Sequence, residues 1–122
     1  MKLIYTLLSL LFLSSCSSTK PTTGEIKHVV LCWLKQDASP ELFIRTVKEL
    51  KSIPHVKSIS TGRKTHSIEP VADNSFDIAF TVTFDSKDKL QSYLQHPLHQ
   101  QALETVFKPA LKKVIVYDYQ QD

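Results

Sequence analysis

Two features that define large classes of proteins are missing from this sequence. Its most apolar segment, residues 3–13, is eleven residues long and as a helix would reach only about 16 Å, roughly half of the hydrocarbon thickness of a bilayer. The chain also lacks a strong charge of either sign, because 15 basic residues face 12 acidic ones for a net charge of +3. Its lysines are dispersed, and Lys112 and Lys113 are the only adjacent ones. We therefore expect neither a membrane-spanning helix nor a nucleic-acid interface.

The amino-terminal residues have the pattern of an export signal. Lys2 supplies a positive charge, the apolar run follows, and the run ends in Leu13-Ser14-Ser15-Cys16. This ending resembles the lipobox of bacterial lipoprotein precursors. The resemblance implies that residues 1–15 are a signal peptide, that the chain is cut before Cys16, and that the Cys16 thiol carries a lipid. An ordinary secretory signal with a chance cysteine is the alternative.

The residues after Cys16 agree with a lipid-anchored protein. Residues 17–24 contain nothing suited to a hydrophobic core, so residues 16–24 are expected to be the lipidated cysteine and a flexible tether. Two or more acyl chains are enough to hold a soluble domain on a membrane. Ser17 stands where an aspartate would resemble an inner-membrane retention signal. We therefore expect the bacterial cell envelope, and the periplasmic side of the outer membrane if the host has two membranes.

The remaining residues, 25–122, have the length of one domain with one core. Cys32 is the cysteine left to this domain, so its fold must be stable without an intrachain disulfide. The pattern of apolar and β-branched residues predicts four strands, at residues 26–34, 56–62, 76–84 and 113–119. The polar residues 63–75 are predicted to form a loop.

Serine and proline residues mark the predicted helices. Ser39 is expected to cap the first helix, with Pro40 in its first turn, where the missing N–H of proline has no cost. Ser86 is expected to cap the second. Pro97 then restarts the helix, and Pro109 ends or kinks it.

The resulting order, β-α-β-β-α-β, predicts an α+β fold of ferredoxin-like type, with a four-stranded antiparallel sheet and helices on one face. Such a sheet should have a polar second face, yet apolar residues run without a break over residues 29–34 and 114–117. Two helices cover only one face, so the second face needs another cover. A second copy of the sheet would provide it and would make a homodimer. The alternative cover is the loop of residues 63–75, folded across the sheet.

Several segments also carry the residues of a known family. They are residues 27–31, 77–84, 93–99 and 114–119. The most specific is Tyr-x-x-His-Pro-x-His, formed here by Tyr93, His96, Pro97 and His99. Together these segments resemble the stress-response A/B barrel domain over nearly all of residues 26–119. The resemblance implies a dimeric α/β barrel, in which two ferredoxin-like sheets close against each other.

The resemblance also implies a candidate site. Polyketide cyclases of that family close a poly-ketone chain by aldol condensation without a cofactor, using the tyrosine and the last histidine of the motif. These positions are Tyr93 and His99, the predicted catalytic residues. His28, Asp77 and His96 are the predicted pocket residues, although the cyclases have a histidine where this chain has Asp77. Imidazole can remove a proton beside a carbonyl while a phenol donates to the developing enolate oxygen.

Simpler interpretations of these residues stay open. Tyr93 and His99 could be half-buried helix residues whose polar atoms make hydrogen bonds at the edge of the core. His96 and His99 are three residues apart and could bind a metal together with His28. No further carboxylate or thiolate joins them at recognisable spacing, so we expect no metal and no cofactor. The deciding observation is whether Tyr93 and His99 converge on a cavity.

Three functions of different classes agree with the sequence. The first is a membrane-tethered lipoprotein whose dimeric barrel binds a small apolar or aromatic ligand, in connection with stress. The second is a cofactor-independent cyclase, isomerase or lyase that acts on a carbonyl or polyketide-like compound through Tyr93 and His99. The third is a structural protein of the envelope that forms a dimer and binds no ligand. A cavity favours the first two functions over the third.

Overall fold

The computed structural model describes residues 24–122, so the predicted signal peptide, Cys16 and residues 17–23 of the tether lie outside the described residues. The four strands are β1 (Ile26–Leu34), β2 (Ser58–Arg63), β3 (Ile78–Phe84) and β4 (Leu111–Gln120). The α-helices are α1 (Pro40–Glu49), α2 (Lys87–Gln95), α3 (Pro97–Ala102) and α4 (Lys108–Ala110). A 3-10 turn, Leu50–Ser52, follows α1, and a π-helical turn, Leu103–Phe107, joins α3 to α4. In this part of the chain, no helix is long and apolar enough to cross a bilayer.

The strands form one sheet in the order β2-β3-β1-β4, and every neighbouring pair is antiparallel. Cys32 of β1 lies opposite Ile78 of β3 and opposite Val114 of β4. The predicted ferredoxin-like arrangement is therefore confirmed. The bounds of β4 differ from the prediction because its pairing with β1 begins earlier, at Leu111 opposite Leu34, across an irregularity after Trp33.

The predicted caps position the helices. The Ser39 Oγ accepts a hydrogen bond from the Leu42 N–H at 3.2 Å, and Pro40 occupies the first turn of α1. The Ser86 Oγ accepts from the Lys89 N–H at 3.3 Å and begins α2 in the same way. Because both caps form as predicted, each helix starts at a fixed residue and presents a fixed face to the sheet.

The second helical region is broken in two places. The backbone of His96 is extended (φ −65°, ψ 138°), and Pro97 then starts α3, as predicted. The turn before α4 widens, so that the Lys108 N–H bonds the Leu103 carbonyl five residues back. This wider turn comes directly before Pro109, which has no N–H to donate, and the helix ends one residue later at Ala110.

The two faces of the sheet have different surroundings. The helix-side face, which carries Val30 and Cys32 of β1, packs against the helices and forms the core. β3 confirms the predicted alternation, because four of its residues on this face are buried: Ile78, Phe80, Val82 and Phe84. Phe76 was predicted to start this strand but lies before it and is half-buried.

The open face of the sheet carries Val29 and Leu31 of β1, which are half-buried, and Tyr117 and Tyr119 of β4, which are 58% and 54% exposed. The loop that joins β2 to β3 touches this face at one end, where the Trp33 Nε1 donates to the Ser75 Oγ at 2.9 Å. The exposure of the two tyrosines shows that this loop leaves the β4 side of the face uncovered. Of the two covers considered, a second copy of the chain is the one that this geometry leaves room for.

Candidate functional site

A cavity of about 180 Å³ lies between the helices and the helix-side face of the sheet. Its walls are almost entirely apolar and include Val30, Phe43 and Phe107. The exceptions are His28, Tyr93 and His99, together with the thiol of Cys32. Tyr93 and His99 therefore both line one cavity, as predicted. A void of this size holds a molecule of about the size of a substituted benzene ring.

Tyr93 reaches the cavity from α2 and is 1% exposed. Its ring packs against the ring of Phe84, with 5.0 Å between the centroids. Burial raises the pKa of the Tyr93 phenol, because the phenolate would lose its hydration. The hydroxyl consequently stays protonated at neutral pH and can act as a hydrogen-bond donor.

His99 reaches the same cavity from α3, and its ring centroid lies 4.7 Å from that of Tyr93. Burial lowers the pKa of His99, the nearby Leu94 carbonyl opposes this effect, and the charge of His28 adds to it. The imidazole is therefore neutral at pH 7. Among the described residues, the buried Nδ1 atom of His99 finds no hydrogen-bond partner. His99 is thus a cavity-lining residue with an unsatisfied ring nitrogen.

His28 enters the cavity from β1, and the register places it directly opposite Asp118 of β4. The His28 Nδ1 lies 2.6 Å from the Asp118 Oδ1, and the pair fixes the orientation of the ring. The ring meets Tyr93 edge-on, with 6.2 Å between the centroids. Asp118 was missed in the sequence, since its partnership with His28 depends on the pairing register of two strands that lie far apart in the chain.

The other two predicted pocket residues lie outside the cavity. The Asp77 Oδ2 accepts a hydrogen bond from the Leu34 N–H at 2.7 Å, so this carboxylate fixes the end of β1. The His96 Nδ1 accepts from the Leu98 N–H at 3.2 Å and caps α3. Both side chains are engaged by the backbone, and neither contributes to the cavity walls.

The remaining chemistry of the site is limited. Burial raises the pKa of the Cys32 thiol to about 12, which keeps the thiol protonated and poorly nucleophilic. In residues 24–122, no three side chains of the His, Cys, Asp and Glu types are grouped so that they could hold a metal ion. The cavity thus holds a neutral imidazole, which can accept a proton, and a phenol, which can donate one, and this pair is suited to proton transfer.

Similar proteins are found by sequence. The stress-response A/B barrel domain-containing protein HS1 of Arabidopsis thaliana is 33% identical over 100 residues, which cover 79% of this chain and 89% of that protein. Olivetolic acid cyclase of Cannabis sativa is 26% identical over 98 residues, which cover 77% of this chain and 94% of the cyclase.

Solved structures share the fold. A Dabb family protein with a ferredoxin-like fold from Mesorhizobium loti has a TM-score of 0.66 and 25% identity, and the match covers 79% of this chain and 95% of that one. A dimeric ferredoxin-like protein of unknown function from Thermobifida fusca has a TM-score of 0.66 and 24% identity, with 80% and 92% covered. The family model of the stress responsive A/B barrel domain matches residues 26–121. With four strands, two helical regions and nearly the whole domain matched, this chain belongs to the stress-responsive A/B barrel domain family.

Proposed function

We propose that the cavity binds a small, mostly apolar carbonyl compound and that His99 and Tyr93 transfer a proton on it without a cofactor. One observation carries the proposal: His99 lines the cavity, and its buried Nδ1 atom has no hydrogen-bond partner among the described residues. A buried polar atom without a partner costs about 1–3 kcal/mol. A ligand that supplies a proton or a donor to this nitrogen would recover that energy.

The geometry supports a role for each residue. His99 is neutral because its pKa is lowered, so it is in the form that accepts a proton from a carbon beside a carbonyl. Tyr93 keeps its proton because its pKa is raised, so it can donate a hydrogen bond to the enolate oxygen that develops. His28, oriented by Asp118, adds a third polar group beside Tyr93. The apolar walls at the other end suit an alkyl or aryl group.

Binding without turnover is the second candidate, and the almost wholly apolar lining favours it. Olivetolic acid cyclase is named as an enzyme, and its similarity to this chain supports the catalytic candidate. The two candidates share the same ligand class and differ only in what His99 does to it.

The test combines binding and turnover in the full-length protein. Thermal stabilisation is measured against a panel of phenols, quinones and polyketide-like acids, and a compound at 100 times its Kd should add about 2.7 kcal/mol to the free energy of unfolding. For a compound that is converted, His99→Gln should lower kcat by about a hundredfold or more. Binding should weaken far less, because the glutamine amide can still form a hydrogen bond with the ligand. His66→Gln is the matched control, because His66 is exposed in the loop between β2 and β3 and lies outside the cavity. Equal turnover by both variants would contradict a catalytic His99.

The assembly belongs to the same proposal. We infer that the open face, with its exposed Tyr117 and Tyr119, is covered by a second copy of the chain in a two-fold homodimer. The structural neighbours from Thermobifida fusca and Bacteroides fragilis are described as dimeric, which supports this assembly. A mass of one protomer at high protein concentration would contradict it.

We propose that the protein is a lipoprotein, tethered through a lipid on Cys16 and facing the periplasm from the outer membrane where two membranes are present. The lipobox-like residues 13–16 and the polar residues 17–24 support this placement. The test is incorporation of labelled palmitate in cells, with Cys16→Ser as the variant. The wild type should be labelled and sediment with membranes. Unlabelled wild-type protein in the soluble fraction would contradict the lipid anchor.

A further inference from the structure

One wall of the cavity is incomplete in the single chain. Val114 and Val116 of β4 lie opposite Cys32 and Val30, on the helix-side face, and both belong to the cavity walls. Each is nevertheless 47% exposed, because the helices cover β1 and β3 and leave this side of β4 bare. A ligand in the cavity would therefore have water along one apolar flank.

The loop of residues 64–77 presents two aliphatic side chains to solvent. Ile68 is 92% exposed and Val71 is 94% exposed. The neck of the loop is closed by two hydrogen bonds of 2.9 Å, from the Ser67 N–H to the Asn74 Oδ1 and from the Asn74 Nδ2 to the Ser67 carbonyl. The loop tip, residues 68–72, is thus held in shape while its apolar side chains have no cover, a combination typical of a contact surface.

The register places the loop and the incomplete wall at the same end of the sheet. Arg63, where the loop leaves β2, lies opposite Ile78, which is opposite Cys32, which is opposite Val114. Within one chain, however, β2 and β4 are the two outer strands, separated by three strand spacings or about 14 Å. The exposure of Ile68 shows that the tip does not pack on its own β4.

We propose that the loop tip completes the cavity of the other protomer in the homodimer. In this arrangement the two sheets close into a barrel whose two-fold axis runs along the barrel axis, and β4 of one protomer lies beside β2 of the other. The β2–β3 loops of both protomers then lie at the same end of the barrel. The tip of one protomer then covers Val114 and Val116 of its neighbour. The site becomes a shared one, with an apolar lid of two side chains supplied by the second chain.

Charge supports the same contact. The loop tip carries Glu69, and β4 carries Lys112 beside Val114. Within residues 24–122 neither Glu69 nor Lys112 takes part in an ion pair. In the proposed contact, Glu69 of one protomer approaches Lys112 of the other at the rim of the apolar patch.

Cross-linking tests the contact directly. The full-length double variant Val71→Cys/Val114→Cys is treated with a short bis-maleimide. The fraction of covalent dimer is then measured on a denaturing gel. Val71→Cys with Gln120→Cys, at the opposite end of β4, is the matched pair, and the single variants control for links through the native Cys16 and Cys32. The first pair should give covalent dimers several times more often than the others. No dimer, or equal amounts from both pairs, overturns the proposal.

A second measurement separates this contact from the proposed function, on which the shared cavity rests. Val71→Asp should weaken binding of a cavity ligand by about tenfold in Kd and leave the protein dimeric. Thr65→Asp places the same charge in the exposed part of the loop before the neck and should change nothing. Wild-type affinity in Val71→Asp overturns the shared site, whereas a wild-type protein that binds no panel compound overturns the proposed function and leaves the cross-linking result intact.

Discussion

On the helix-side face of the sheet, Val82 and Phe84 are fully buried, whereas on the open face Tyr117 and Tyr119 of β4 are more than half exposed. Along β1 and β4 both faces carry apolar side chains, so composition does not distinguish the two faces of these strands. The first is covered by the chain's own helices, through caps and apolar spacing that are local in sequence. The second has no cover in the chain itself. The core is thus complete within one protomer. The open face is covered only in the proposed homodimer, whose population rises with protein concentration.

The largest effects are expected from substitutions of aromatic residues, which should lower stability on the helix-side face and dimer association on the open face. Phe84→Ala removes a fully buried ring and should lower the free energy of unfolding by about 3–5 kcal/mol. Tyr117→Ala should instead weaken dimer association by about 2 kcal/mol, or roughly thirtyfold in Kd. The measurements are denaturant unfolding and sedimentation over a range of concentrations. If Tyr117→Ala left association unchanged, the open face would not be the dimer interface.

The parts of the fold that the sequence predicts are those with local signals. Ser39 and Ser86 cap their helices as expected, and β1 has the predicted bounds, because caps and apolar runs are decided within a few residues. β2 begins two residues later than predicted, at Ser58, since its start is set by pairing with Thr83 of β3. The π-helical turn was not predicted, because the apolar spacing of residues 103–107 is that of an ordinary helix.

The site divides in the same way. Tyr93 and His99 were identified through a motif that lies within seven residues, and the structure brings them together. Asp118 acquires its place only when β1 and β4 pair, so no local pattern indicates it. The family resemblance predicted Asp77 as a pocket residue, but its short carboxylate bonds the Leu34 N–H instead of reaching the cavity. Backbone hydrogen bonds of this kind cannot be predicted from residue type alone.

The pH dependence of stability tests whether His99 is buried on the helix-side face. The pKa of His99 is lowered from 6.5 by burial, so the unfolded chain binds a proton at a higher pH than the folded one. Above pH 6.5 His99 is neutral in both states and its titration does not affect the free energy of unfolding. As the pH falls below 6.5, the unfolded chain takes up the proton first, and the free energy of unfolding decreases until the folded protein is protonated as well. His99→Gln should show a flatter fall in melting temperature over this range, and His66→Gln, at an exposed loop position, should match the wild type. Identical profiles for all three proteins would mean that His99 is not buried in solution.

The smallest effect is expected at the charged end of the sheet, where Glu25 at the start of β1 contacts Lys57 and, at 3.0 Å, Lys27. These hydrogen bonds lower the pKa of Glu25 from 4.5 to about 2. Because the folded pKa is depressed, the stabilisation is present above pH 4.5 and is lost as the pH falls through about 2.

Glu25→Gln should therefore lower the melting temperature at pH 7 by a small amount, and the difference from the wild type should vanish near pH 2. Glu104→Gln removes an exposed partner of Lys108 on the helical surface and should have little effect at either pH. A Glu25→Gln deficit that persisted at pH 2 would show that the carboxylate acts through packing and not through its charge.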